Sequence, residues 1–255
     1  DASLTHTYAT AGDHLIRIRG SFPNIYFNNT GDKLKVKSVG NLGIVGWTKL
    51  DKAFYGCTNL TSFTVGTTDT SSVTNMSNMF NGSSSLTSLD VSNFDTSSVT
   101  NMSSMFRALT NLTSLNLSSF DTSSVTNMST MFRDSNSLTS LDVSNFDTSS
   151  VTNMSSMFRA LTNLTSLNLS SFDTSSVTNM STMFRDSNSL TSLDLSNFDT
   201  SSVTNMREMF YDCNALTSLV GAEDFNITGL NSTNDLTGFI RTGRMTTAQY
   251  DALLV

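Results

Sequence analysis

The chain has 255 residues, a formal charge of −7 and a pI near 4.6. That balance excludes a general nucleic-acid binder, and the lack of any 18-residue apolar run excludes a helical membrane span. A single proline and much Ser, Thr and Asn suggest low complexity. Strictly spaced apolar columns exclude disorder, because they supply the burial that offsets ordering entropy.

Residues 1–20 carry the alternating Ile16-Arg17-Ile18-Arg19 closed by Gly20, which predicts a half-buried strand. The Tyr8-Ala9-Thr10-Ala11-Gly12 turn ahead of it resembles the last strands of a PKD-like immunoglobulin-type domain. There is no initiator Met and no signal peptide, so a segment of a larger protein is expected. Residues 21–42 predict a short strand at Ile25-Tyr26-Phe27, a turn at Asn28–Asp32 and a second strand at Leu34-Lys35-Val36-Lys37. Residues 1–42 are read as a strand-rich N-terminal cap. Lysines on its edge discourage end-to-end pairing.

From residue 43 the chain repeats every 26 residues, and the period is that of a solenoid whose units bury their apolar side only by stacking. Asp69, Asp95, Asp121, Asp147, Asp173 and Asp199 each open the run Asp-Thr-Ser-Ser-Val-Thr-Asn-Met. Residues 43–68 keep only the apolar skeleton, with Trp47 in the Val column and Leu50 in the first Met column. Residues 95–146 recur as 147–198 with one change, Val143 to Leu195. Within a unit, Leu86, Leu89 and Val91 fit the strand half of a leucine-rich repeat, and Asp90 points to the exposed face. Phe94 turns the corner. Val99, Met102, Met105 and Phe106 follow helical spacing, which predicts a helical or 3-10 turn opposite the sheet.

All of Leu89, Val91, Phe94, Val99, Met102, Met105 and Phe106 are expected in the core. The two Met columns, at Met102 and Met105, read as unbranched filler beside stacked Phe. Cys57 and Cys213 share a phase six units apart. At about 4.8 Å per strand they lie roughly 29 Å apart, too far for a disulfide. After Leu219 the pattern slips by one residue at 221–225, and Met245–Tyr250 has the spacing of a capped helix start. The expected organisation is therefore a cap at 1–42, a solenoid at 43–220 and a degraded repeat with a helical cap at 221–255. The fold class is a leucine-rich-repeat-like solenoid: parallel sheet on one face, short helical or 3-10 turns opposite, strands capping one end and a helix the other.

The units resemble the 26-residue repeats of BspA-like leucine-rich-repeat bacterial surface proteins. The resemblance rests on Asp-Thr-Ser-Ser-Val-Thr-Asn-Met-Ser-x-Met-Phe followed by Leu-Thr-Ser-Leu-Asp-Leu-Ser-Asn-Phe, over residues 47–220. Phe54-Tyr55-Gly56-Cys57 and Phe210-Tyr211-Asp212-Cys213 are closer to the family's Phe-x-Gly-Cys form than the inner units, which carry Arg-Ala-Leu or Arg-Asp-Ser. The resemblance implies a secreted or surface-anchored bacterial protein, an adhesin with an extracellular protein or glycan ligand, and no catalytic site.

Four exposed columns compete for function. Asp90, Asn116, Asp142, Asn168 and Asp194 line the sheet face through which curved solenoids bind, although alternation of Asp and Asn is also what solubility alone would select. The Asp95 column either caps its turns or holds Ca²⁺ between rungs. Arg107, Arg133, Arg159 and Arg185 form a stripe with Asp134 and Asp186 beside it, either a solvated face or a polyanion contact. The row from Thr74 to Thr204 resembles ice-binding ladders, or bonds one rung to the next. No repeat contains His, and no nucleophile–base pair or phosphate loop recurs, so an enzyme, a cofactor and a metal centre are not expected. The expectation is a monomeric, non-catalytic extracellular interaction module. A ligand-free stalk and an ice-binding ladder are the rival readings.

Overall fold

The structure is a computed structural model, and it describes residues 7–230 and 238–241. The chain winds as a solenoid in which every pairing is parallel and joins equivalent positions one turn apart. Strand β1 (Ser38–Val39) pairs with β2 (Ser62–Thr64), and β2 with β3 (Ser88–Asp90), in the register Phe63 to Leu89 and Thr64 to Asp90. Farther along, β4 (Ser192–Asp194) and β6 (Ser218–Val220) pair with Leu193 opposite Leu219. Between them β5 (Phe210–Tyr211) pairs with β7 (Ile240–Arg241) on the turn side. In the middle units the leucine positions stay in line without regular strand pairing. A more continuous ladder runs elsewhere, through Asn75, Asn101, Asn127, Asn153, Asn179 and Asn205. Each Asn side chain accepts the N–H two residues on, as Asn101 Oδ1 does from Ser103 at 2.9 Å. This tightens the corner and holds the ladder in register.

The side opposite the sheet is not helical. A helix would send each N–H back along its own rung. Here alternate peptides turn along the solenoid axis instead. Met102, Ser104, Phe106 and Ala108 donate to the carbonyls of Asn127, Ser129, Met131 and Arg133 in the next rung at 2.8–3.0 Å. The intervening peptides close overlapping turns, as from Met105 to Met102 at 3.2 Å. The cost is left-handed backbone at non-glycine residues, Ser104 (φ 57°) and Ala108 (φ 56°) in this unit. Such residues cost on the order of 1–2 kcal/mol each. Four inter-rung hydrogen bonds per unit offset it.

The core follows the apolar columns. Leu89, Val91, Phe94, Val99, Met102, Met105 and Phe106 are all buried, as are both Met columns through the repeats. Phe54, Phe80, Phe106, Phe132, Phe158, Phe184 and Phe210 stack nearly parallel, with ring centroids 5.4–6.2 Å apart. Pairs of this kind contribute about 0.5–1.5 kcal/mol beyond their buried area. Cys57 and Cys213 are free and buried, and desolvation pushes both thiols up to about 12.

The N-terminal end differs from the expected strands. Ile16 and Ile18 are exposed, and residues 14–20 join no strand or bridge among the described residues. An isolated alternating segment has no stability without an edge to join. The predicted strand at Leu34–Lys37 overlaps a 3-10 turn, Gly31–Lys35, reached through left-handed Asn28 and Asn29. Residues 22–42 are instead one more rung. Phe22 N–H reaches Val45, Asn28 N–H reaches Lys52, and Leu42 N–H reaches Val65, while Phe22, Ile25, Phe27, Val36 and Val39 pack on the core.

At the other end, the slip in phase is a 3-10 turn, Ala222–Asp224, inserted after Gly221. Gly221 has φ 79°, and a Cβ there would overlap the backbone of Ser196. Asn226 then takes the place of the repeating Asp, its N–H bonding Thr200 Oγ1 at 2.7 Å. The expected helix at 245–255 lies outside the described residues.

Candidate binding site

The sheet face presents Asp90, Asn116, Asp142, Asn168 and Asp194 in one outward column. Each is fixed by a local turn rather than left mobile. Asp90 Oδ1 accepts Ser92 N–H at 3.0 Å and Ser92 Oγ–H at 2.7 Å. Ser144 and Ser196 bind Asp142 and Asp194 in the same way, and Asn116 and Asn168 accept one N–H each at 3.1 Å. The serine hydroxyls, then the N–H groups, hold the carboxyls of Asp90, Asp142 and Asp194 below the usual range. A shallow cleft opens beside the column, lined by Leu167, Asn168, Leu169, Ser170, Asp194, Ser196 and Asn197.

At the Asp-Thr-Ser-Ser corner, the aspartate carboxylates cap their own turns, as Asp95 Oδ1 does with Ser97 N–H at 3.1 Å and Ser97 Oγ at 2.6 Å. No group of three or more metal-ligating side chains occurs among the described residues. The neighbouring threonine, which sequence reasoning passed over, is buried. Thr96 Oγ1 donates to Asp121 O at 2.8 Å and accepts Asp121 N–H at 2.9 Å. Thr70, Thr122, Thr148, Thr174 and Thr200 repeat the donation to the next rung. A polar residue recurring at a fixed phase beside a turn was the available signal.

The exposed Thr row also bonds along the axis: Thr100 Oγ1 donates to Thr74 O at 3.2 Å, and the pattern continues to Thr204. On the turn side the arginines pair laterally. Asp134 Oδ2 lies between Arg107 (3.4 Å) and Arg133 (3.2 Å), and Asp186 Oδ2 between Arg159 and Arg185, both 3.3 Å. Glu208 joins Arg185 to Arg207, and Arg185 lies 4.8 Å over the Tyr211 ring.

Charge is therefore sorted by face. Between residues 69 and 212 every cation, Arg107, Arg133, Arg159, Arg185 and Arg207, belongs to the turn side. The sheet and corner columns hold nine aspartates and no cation. A negative field of this kind repels polyanions and suits neutral or cationic ligands.

The arrangement is that of a leucine-rich-repeat-like solenoid. The chain belongs to the family described as Mycoplasma protein of unknown function, DUF285, which matches residues 48–141 and 134–238. The BspA-like repeat motif, over residues 47–220, falls almost wholly within this match. Among solved structures, a leucine-rich repeat protein of T. pallidum is similar at 20% identity over 73% of this chain and 70% of its own, with a TM-score of 0.36. One from Bacteroides ovatus has 14% identity over 73% and 61%, with a TM-score of 0.31. A leucine rich cell surface protein from Faecalibacterium prausnitzii has 16% identity over 82% and 79%, with a TM-score of 0.20. No curated protein matches the chain.

Proposed function

We propose that the chain is a non-catalytic interaction module of a bacterial cell-surface protein, acting as part of an adhesin. It binds a neutral glycan or a protein through the sheet face, with Asp90, Asn116, Asp142, Asn168 and Asp194 as the contact column. The observation that carries this reading is the column itself. Its side chains point outward, are held in one orientation by serine and backbone donors, and repeat along the rod. Preorganised polar groups lose little entropy on binding. The match to a cell surface protein of Faecalibacterium prausnitzii is in keeping with the location.

The test is screening on glycan and matrix-protein arrays beside a variant with Ala at all five positions. Binding lost in the variant supports the reading. Binding to nothing supports the rival, a stalk that spaces other domains, which the copying of 95–146 as 147–198 favours. The ice-binding alternative is weakened by the Thr hydroxyls already donating to carbonyls of the preceding rung. Thermal hysteresis measurements test it, and normal ice growth removes it.

A further inference from the structure

The cations outside the Arg stripe are concentrated at one end. Residues 1–52 hold seven cations against four carboxylates, and residues 53–255 hold seven against seventeen. All five lysines lie within Lys33–Lys52. Three of them, Lys33, Lys49 and Lys52, belong to the first two rungs. Lys52 Nζ stands 5.8 Å over the exposed Tyr26 ring. Asn24 bridges Lys49, and Asn28 N–H bonds Lys52 O at 3.2 Å, so Tyr26 is bracketed by the Lys49–Lys52 segment. Lys33 Nζ bonds the Asn29 side chain, and both lie against Gly56.

The contrast with the arginines decides what this cluster can do. Arg107, Arg133, Arg159, Arg185 and Arg207 share three carboxylates, Asp134, Asp186 and Glu208, so that each has one within 3.4 Å. Lys33, Lys49 and Lys52 form no ion pair among the described residues. The protein thus pairs every arginine of its central stripe with a carboxylate, and pairs Lys35 and Lys37 at this end, but leaves Lys33, Lys49 and Lys52 without one, within a chain that is acidic elsewhere. Unpaired cations beside an exposed aromatic ring can meet anionic groups and the apolar face of a sugar ring together.

We propose that Lys33, Lys49 and Lys52 around Tyr26 form a second binding surface, distinct from the sheet face, that takes an acidic polysaccharide. Its sulfate or carboxylate groups meet the three lysines, and a sugar ring packs on Tyr26. Three lysines at the surface are too few for tight binding, so the interaction is weak per site and screened by salt.

The experiment measures binding of the whole chain to heparin, inorganic polyphosphate and neutral dextran at low salt. The expected result is binding to heparin and polyphosphate, none to dextran, and about a tenfold loss for both polyanions in Lys33→Gln/Lys49→Gln/Lys52→Gln. Tyr26→Ala weakens heparin binding and leaves polyphosphate unchanged. If the triple variant melts early, Lys49→Gln alone, an exposed side chain, is read in its place and gives a partial loss. The five-position Ala variant of the sheet face leaves heparin binding intact, so failure of either surface is separable from the other. No heparin binding, or heparin binding indifferent to the lysines, overturns the proposal. Equal effects of Tyr26→Ala on heparin and polyphosphate overturn the sugar contact.

Discussion

Neighbouring rungs of this solenoid meet in two different ways. Where an Arg-Ala-Leu unit is followed by an Arg-Asp-Ser unit, side chains interlock across the junction. Between 95–120 and 121–146, Ser135 Oγ enters the turn of the preceding rung, donating to Phe106 O at 2.6 Å and accepting Leu109 N–H at 3.1 Å. Ser104 bonds Thr130 at 2.5 Å, Ser137 bonds Thr110 O at 2.5 Å, and Asn145 Nδ2 reaches Leu117 O and Phe120 O. Asp134 ties the two arginines. The same set recurs between 147–172 and 173–198. At the reverse junction, 121–146 onto 147–172, the backbone ladder is unchanged. Its particular side-chain bonds are Asn163 to Asn136 O at 2.8 Å and Ser171 to Val143 O at 3.5 Å. The sequence repeats every 26 residues, but the structure interlocks every 52. That is a physical reason for copying 95–146 as a block.

The largest effect is expected at the inserted serine. Ser135 is fully buried between Leu109 and Leu161 in a column that alternates large and small side chains. Ser135→Leu places three leucines in line and removes the hydroxyl, costing about 3 kcal/mol or more in urea denaturation. Ser135→Cys should cost less than half of that, because Cys213 Sγ already makes the equivalent bond to Phe184 O at 3.0 Å. Equal effects of Leu and Cys would show that the column does not sort by size. The buried threonines give the next comparison. Thr96 both donates and accepts across the interlocked junction, whereas Thr122 donates to Asp147 O across the reverse one. Thr96→Val should cost about 2 kcal/mol and Thr122→Val about 1.

Acid should weaken the rod without separating the two kinds of junction. Serine donors hold Asp69, Asp121, Asp173 and Asp199 below their ordinary range. A lowered folded pKa gives stability present above the unfolded value, about 3.9, and lost as pH falls through the folded one. The melting temperature should stay level from pH 5 to pH 8 as far as these groups are concerned, and drop below about pH 4. The smallest effect belongs to Asp134→Asn. Its pairs are about a third exposed, so the loss is about 0.5 kcal/mol and vanishes in high salt.

Much of this was readable from the residues. The Leu, Val, Phe and Met columns gave the solenoid and its core because burial at a fixed phase leaves a direct trace in the sequence. The helical spacing of Val99, Met102, Met105 and Phe106 suggests a helical or 3-10 turn, and the turn side forms overlapping turns with left-handed residues instead. The axial hydrogen bonds that override it depend on the next rung, which no local pattern reports. Residues 22–42 hid a rung because Phe22, Ile25, Phe27, Val36 and Val39 keep the apolar positions with none of the polar motif. The exposed column from Asp90 to Asp194 was legible through strand alternation. Its locking by Ser92, Ser144 and Ser196 was not, since serine two residues on is common in any loop.

The central claim is that two rungs, not one, are the structural unit, and thermal unfolding of two deletions tests it. Removing Asp147–Phe198 takes out 52 residues and joins Phe146 to Asp199, reproducing the native Phe198–Asp199 junction. Removing only Asp121–Phe146 takes out 26 residues but stacks Leu161 on Leu109 and Arg159 on Arg107, without Ser135 or Asp134 between them. If rungs were equivalent, the shorter deletion would melt higher, because it keeps one more unit and its interfaces. Interlocked pairs predict the opposite order, with the 52-residue deletion folded cooperatively and the 26-residue deletion melting at a lower temperature or in two steps. A 26-residue deletion that melts cooperatively above the 52-residue one would contradict the account.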